Sequence, residues 1–146
     1  MREILFKAKR LDNGEWVEGD LLHTGDVDTV LISDCYSQLF RCDGNTVCQY
    51  TGLTDKNGKK IWENDIVCVT HEKYQDCDEM ETYQLLPEIE SYKRNYSVEF
   101  VNSGSRYGCR VRNKSIHFML TRNVIFNHKV EVIGNIFDDK ELLEVE

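Results

Sequence analysis

The chain has 146 residues, a formal net charge of −8 and a hydrophobic content of 40%. That length fits one domain able to bury its own core, and so acidic a chain works against non-specific contact with nucleic-acid phosphates. Mean hydropathy is −0.51 and no apolar run approaches the roughly 20 residues of a membrane span. Charged Arg2 and Glu3 follow Met1 with no apolar stretch behind them, so neither a membrane segment nor a signal peptide is expected, and the cytoplasm is the expected location.

In chain order, residues 2–11 alternate, with Ile4 and Phe6 against Leu5 and Lys7, and read as a strand. Asp12-Asn13-Gly14 turns the chain into a second strand, Trp16 to Leu22, and the two make a hairpin. Gly19 inside it marks a bend or a close backbone approach. After the turn at Thr24-Gly25-Asp26, Val27–Ile32 has high β propensity, and Ser33-Asp34 breaks it. Tyr36–Cys42 follows, and Asp43-Gly44-Asn45 leads into Thr46–Tyr50. Short strands with frequent turns point to a sandwich or barrel.

Val47–Val69 is the densest run of structural instruction. Gly52 between Thr51 and Leu53 predicts a bulge or tight bend. Asn57-Gly58 between apolar segments predicts a type I′ hairpin turn with two positive φ angles. Ile61 and Trp62 begin an apolar return, and Tyr50 and Trp62 are expected in the core. Asn64-Asp65 interrupts, with Asp65 placed to accept from backbone donors where the next strand begins. Ile66-Val67-Cys68-Val69 reads as a short buried strand.

Composition then shifts, and residues 71–95 read as an acidic insertion. From His71 to Glu90 there are seven acidic residues and one lysine. Met80, Tyr83 and Leu86 have helical spacing, limited by Pro87; a long acidic loop is the competing reading. Alternation returns at Tyr96–Val101. Asn102-Ser103-Gly104 turns the chain, Tyr107–Val111 pairs back, and Ser115–Leu120 is another β-prone run. Thr121-Arg122-Asn123 reads as a break and Lys129–Ile136 as the last strand. Asp138 and Glu141 have capping-box spacing before a short closing helix, Asp139–Leu143. Leu142 and Leu143 would pack it on a barrel mouth or an open edge.

The Gln49-Tyr50-Thr51-Gly52-Leu53 block, Asp55, Asn57-Gly58 and Asp65-Ile66-Val67 resemble a segment of the YopX family of phage and prophage proteins. The opening, Arg2-Glu3-Ile4-Leu5-Phe6-Lys7-Ala8 with Trp16 and Gly19, is similar to that family's start. Glu131-Val132-Ile133-Gly134-Asn135-Ile136-Phe137 with Glu141-Leu142-Leu143 is similar to its close. The middle, about 71–128, shows no clear likeness. Asn64 and Cys48 stand where glycines are common in the family, and Asn tolerates positive φ better than most residues. Residues and resemblance together predict a mainly β fold over 1–146: an irregular small β-barrel of short strands with a variable central insertion and a short C-terminal helix. The resemblance adds a phage or prophage setting, and short edge strands that need covering make a homo-oligomer plausible.

No residue pattern here marks a catalytic or cofactor site. There is no G-x-S-x-G, and Gly104-x-x-x-Gly108 lacks the lysine-hydroxyl pair that completes a phosphate loop. The six cysteines, at 35, 42, 48, 68, 77 and 109, include no C-x-x-C. Cys48 and Cys68 read as small buried residues in strands. The leading expectation is a non-enzymatic, cytoplasmic module that binds a host or phage protein or itself, without a cofactor. A second reading is a nucleic-acid-associated protein. Arg106, Arg110, Arg112 and Lys114 share one parity and would line one face of a strand, able to meet a phosphate backbone or an acidic partner. A third is a small metalloprotein using Cys68, His71 and Cys77.

Overall fold

The computed structural model describes residues 3–73, 90–103 and 106–144. Among these residues, eleven strands form two antiparallel sheets. The first contains β1 (Phe6–Lys9), β2 (Trp16–His23), β3 (Thr29–Ser33), β4 (Leu39–Asp43), β5 (Cys48–Thr54) and β6 (Lys60–Trp62), in the order β4-β3-β2-β1-β5-β6. The second contains β7 (Asp65–Lys73), β8 (Glu90–Ser103), β9 (Arg106–Asn113), β10 (Ile116–Leu120) and β11 (Glu131–Asn135), in the order β10-β9-β8-β7-β11.

The mainly β expectation holds, but the sheets do not close into the expected barrel. The reason lies at Glu63 and Asn64. β6 ends after three residues, and the chain leaves the first sheet and starts the second without pairing β6 to β7. Asn64 takes a φ of 70°, the left-handed geometry that asparagine accepts at low cost. Its backbone N–H donates to the Val98 carbonyl at 2.8 Å and its carbonyl accepts from the Ile136 N–H at 2.9 Å. The first sheet does curl. An Arg10–Cys42 bridge and a Leu11 N–H to Arg41 carbonyl bond bring β4 back to the end of β1.

Each sheet buries alternate residues, as strand geometry requires. In the second sheet Val67, Val69, Tyr96, Val98, Cys109 and Val111 form one core with Leu120, Ile125 and Val130. Ile61 of the first sheet reaches into the same cluster. The curl of the first sheet encloses Ala8, Val30, Ile32 and Cys42. Tyr50, Trp62 and Cys48 form a third cluster between them, so Tyr50 and Trp62 are core residues, with ring centroids 5.5 Å apart. Burying each such large side chain contributes roughly 1.5–3 kcal/mol.

Gly19, anticipated for a bend or close approach, and Gly52, anticipated for a bulge or tight bend, behave so. A Cβ on Gly19 would lie 1.9 Å from the Ser33 carbonyl oxygen, and Gly52, at φ 85°, sits where the β5–β6 register shifts. The Asn57-Gly58 turn differs from expectation. Gly58 has a φ of 81° but Asn57 is not positive, so the turn is not type I′. Asp55 dictates the geometry instead: its Oδ1 accepts from the Asn57 and Lys59 N–H groups, each at 2.9 Å. This is the pattern of an acidic side chain organising its own turn.

Two features near the C-terminus also differ. Thr121 does not simply break the chain. Its Oγ1 accepts from the Val124 N–H at 3.2 Å and caps a six-residue helix, α1 (Arg122–Asn127). The closing segment is a 3₁₀ turn, Lys140–Leu143, without a side-chain cap from Asp139. The carboxylate of Asp138 goes elsewhere, to the Trp16 and Asn135 side-chain N–H groups at 3.1 Å and to Lys9. The turn lies against β8, where the Asn95 side chain donates to the Leu142 carbonyl at 2.9 Å.

Of the expected 71–95 insertion, residues 71–73 and 90–95 are paired strand, from His71 opposite Tyr92 to Lys73 opposite Glu90. The helix or loop anticipated around Met80, Tyr83 and Leu86 lies outside the described residues.

The crossing at Asn64 makes a direct prediction. Asn64→Gly should leave thermal stability close to the parent, whereas Asn64→Val should cost about 1–3 kcal/mol, because a β-branched residue is strained at positive φ. Equal stability of the two variants would show that the φ of this residue does not govern the crossing.

Candidate partner-binding site

The anticipated cationic face is reorganised. Arg110 and Arg112 do share a face of β9, but both guanidinium groups reach Glu99 Oε1 on β8, Arg112 at 2.9 Å. Burial pushes the Glu99 carboxyl up, but the hydrogen bonds and charges of Arg112 and Arg110 outweigh it and hold it below the usual carboxylate range. The strand ends at Asn113, so Lys114 leaves the alternation and turns the chain at φ 56°. The backbone of Arg106 begins β9 opposite Ser103; its side chain lies outside the described residues. What was expected as a row of free cations is, for its two central members, a shared ion pair.

The Cys68–His71 pair does not converge. The two residues are three apart on β7, and strand alternation puts them on opposite faces. Cys77 lies outside the described residues. Among the described residues, no three His, Cys, Asp or Glu side chains gather as a metal site. His71 instead joins an aromatic cluster: Nε2 is 2.7 Å from the Tyr96 hydroxyl, and its ring stacks on Tyr92 at 5.1 Å. Burial, helped by His128 and Arg94, lowers its pKa, so it is neutral at pH 7. Cys48 is buried as expected, and burial pushes its thiol up to about 11.

The interruption expected at Asn64-Asp65 falls where the chain passes from one sheet to the other, and a charge is buried there. Asp65 Oδ2 accepts from the Trp62 N–H at 2.8 Å, the strand-start role expected of it. Its Oδ1 faces Lys7 Nζ at 3.7 Å. That ammonium also lies 4.6 Å and 5.0 Å from the Trp16 and Trp62 ring centroids, in cation–π geometry. Burial raises the Asp65 pKa to about 6, outweighing Lys7 and the Trp62 N–H. A hollow of about 300 Å³ opens beside the pair.

A larger concavity, about 910 Å³, lies between α1 and the β5–β6 hairpin. Gly52, Thr54, Asp55 and Lys56 line it from the hairpin, and Arg122, Ile125, Phe126 and Lys129 from the helix side. Neighbouring residues on a helix point about 100° apart. Burying Ile125 in the core therefore turns Phe126 outward, and Phe126 is 84% exposed. Three cations surround it. Lys56 contacts Glu131 at 3.5 Å. Arg122 and Lys129 are exposed and form no ion pair among the described residues. The Asp55 carboxylate also lines the concavity, but it is buried and already holds backbone N–H groups. The groove is thus apolar in its floor and basic at its rim, on a chain of net charge −8. Sequence reasoning missed it, although Thr121 before an apolar Val124-Ile125-Phe126 run is a helix-start signal.

Two open antiparallel sheets joined at a buried polar crossing define the chain as a small two-sheet β protein. The YopX protein family matches residues 5–144, and the chain belongs to that family. The match spans the middle that showed no clear likeness as well as the ends. The fold is similar to the crystal structure of protein EF1440 from Enterococcus faecalis, at a TM-score of 0.56 and 18% identity, over 98% of this chain and 99% of that one. Comparison with the curated proteins gives no match. Among the described residues no helix is long and apolar enough to cross a membrane.

The raised pKa of Asp65 has a definite sign. The folded chain holds this proton more tightly than the unfolded chain, whose aspartates titrate near 3.9. The Asp65 contribution to stability is therefore largest below about pH 4 and is lost as pH rises through about 6. Asp65→Asn should gain stability relative to the parent between pH 5 and 7. Carboxyl NMR should give Asp65 a midpoint near 6. A midpoint near 4 with no relative gain would mean that Lys7 governs the group instead.

Proposed function

We propose that this protein is a non-enzymatic binding module, a phage or prophage accessory protein that engages a protein partner through the groove beside α1. The observation that carries this reading is Phe126. A large aromatic side chain is held in the open at the lip of a concavity of about 910 Å³, next to Arg122 and Lys129. Aromatic side chains, phenylalanine among them, and arginines are enriched at protein interfaces relative to the rest of the surface. A lone exposed apolar residue needs no explanation; one set beside an apolar floor and a basic rim supports an interface. The family membership and the two-sheet fold fit such a module without naming its partner.

The pairing of both Arg110 and Arg112 with Glu99, which halves their net charge and holds both side chains, moves the weight of this reading away from the cationic strand and onto the groove. A second copy of the chain is one candidate for the partner and a host or phage protein another.

A photo-crosslinking amino acid at position 126 tests this in the cell, with a control at Val27, which is also exposed and lies in the turn between β2 and β3, outside the residues that line the groove. A discrete protein adduct identified by mass spectrometry at position 126 and absent at 27 is expected. An adduct of twice the chain mass would assign the groove to self-assembly. Adducts to nucleic acid would overturn the protein-partner reading in favour of the nucleic-acid one, and no adduct at all would overturn the reading of the groove as a binding site. Turnover of a nucleotide, ester or peptide by the pure protein would overturn the non-enzymatic part.

A further inference from the structure

We infer that the occupant of the α1 groove is an extended acidic peptide segment carrying one large apolar residue; the inference rests on the groove being a protein-binding site. Three observations converge on this occupant. The first is charge. Lys56, Arg122 and Lys129 stand around the rim. Acidic residues exceed basic ones by eight over the whole chain, yet here the cations gather. Arg122 and Lys129 have no carboxylate partner among the described residues, and Lys56 shares Glu131 at 3.5 Å with both side chains 40% exposed. Exposed pairs of that kind contribute little, so Lys56 is free to turn to a ligand. A basic partner would meet three like charges, which is the repulsive side of specificity.

The second is shape. The floor is Ile125 with the bare backbone of Gly52, and Phe126 stands above it. Gly52 has no side chain to fill that space, and its φ of 85° keeps the position closed to most other residues. The space between an aliphatic floor and an aromatic lip accepts a leucine-sized or aromatic side chain.

The third is backbone. β1 pairs with β5 through Phe6–Gln49 and Lys7–Cys48, with one further bond from the Tyr50 N–H to the Leu5 carbonyl. From Thr51 to Thr54, the side of β5 away from β6 has no strand partner among the described residues. Gly52 and Thr54 from that same stretch line the groove. An extended segment lying there would place its side chains between β5 and α1, as peptides do when they dock against a sheet edge.

Fluorescence anisotropy on the whole chain tests the inference with three labelled nine-residue peptides. One has a central Leu among Glu and Asp residues, one has Ala in place of that Leu, and one has the Leu among Lys residues. The acidic Leu peptide should bind, and the other two should bind at least about tenfold more weakly. The Arg122→Glu, Lys129→Glu double variant and Phe126→Ala should each weaken the acidic Leu peptide about tenfold. All three side chains are exposed, so these variants are expected to fold, and circular dichroism checks that they do. Equal binding of the acidic and lysine peptides, binding indifferent to the charge reversals, or no binding of the acidic Leu peptide would overturn the inference. Any of these results beside a discrete protein adduct at position 126 would leave the groove a protein site with a different occupant. Loss of both signals would remove the site itself.

Discussion

The carboxylate of Asp55 is buried and takes three backbone N–H groups. Two belong to its own hairpin turn, Asn57 and Lys59. The third is Val132 of β11, 77 residues away, at 2.9 Å. One side chain of the first sheet therefore shapes a turn and also holds the outer strand of the second sheet. The neighbouring Lys56 N–H adds a bond to the Val130 carbonyl at 2.9 Å. A carboxylate bonded to several N–H groups is among the stronger polar arrangements in a protein interior. Removing it would leave buried donors unpaired.

Nine residues on, Asn64 ties the crossing to β8 and to the segment after β11, and Asp65 sets a buried charge against Lys7 of β1. Each of these contacts has one partner within residues 55–65. The apolar core alone does not fix how two open sheets sit on each other, since hydrophobic burial has no direction. The polar contacts supply the direction. They also account for the groove. Lys56 and Lys129 reach the same rim because the turn at Asp55 is bound to residues 130–132, which follow α1 directly in the chain. The structural joint and the candidate binding surface are two sides of one arrangement.

Much of this was legible in the sequence. Period-two alternation located most of the strands, and the Gly52, Gly19 and Asn64 readings followed from what those residues allow the backbone to do. The strand-start role of Asp65 was legible for the same reason: it is local. What escaped depends on contacts far apart in sequence. Whether a series of antiparallel strands closes into a barrel is decided by the step between β6 and β7, and no residue pattern announces which strand the next one will refuse to pair with. Asp138 has the spacing of a helix cap, yet Lys9 and Trp16, more than 120 positions away, compete for it and win. The arginines of β9 share parity as expected, but both are tied to Glu99, which belongs to a different strand and offsets one of their two charges. The groove was hidden for a related reason. Its walls come from residues 52–56 and 122–129, and Phe126 looks like any core aromatic until the helix phase is known.

The most direct test of the account is equilibrium unfolding of Asp55→Ala in urea, with amide exchange followed at Val132. If Asp55 joins the sheets, the variant loses more than about 3 kcal/mol, the scale of two or more bonds to a charged group. Protection of the Val132 amide then falls further than that of Val98 in the centre of the second sheet. A loss below about 1 kcal/mol, with Val132 as protected as before, would contradict it and would place the burden of joining the sheets on the apolar clusters.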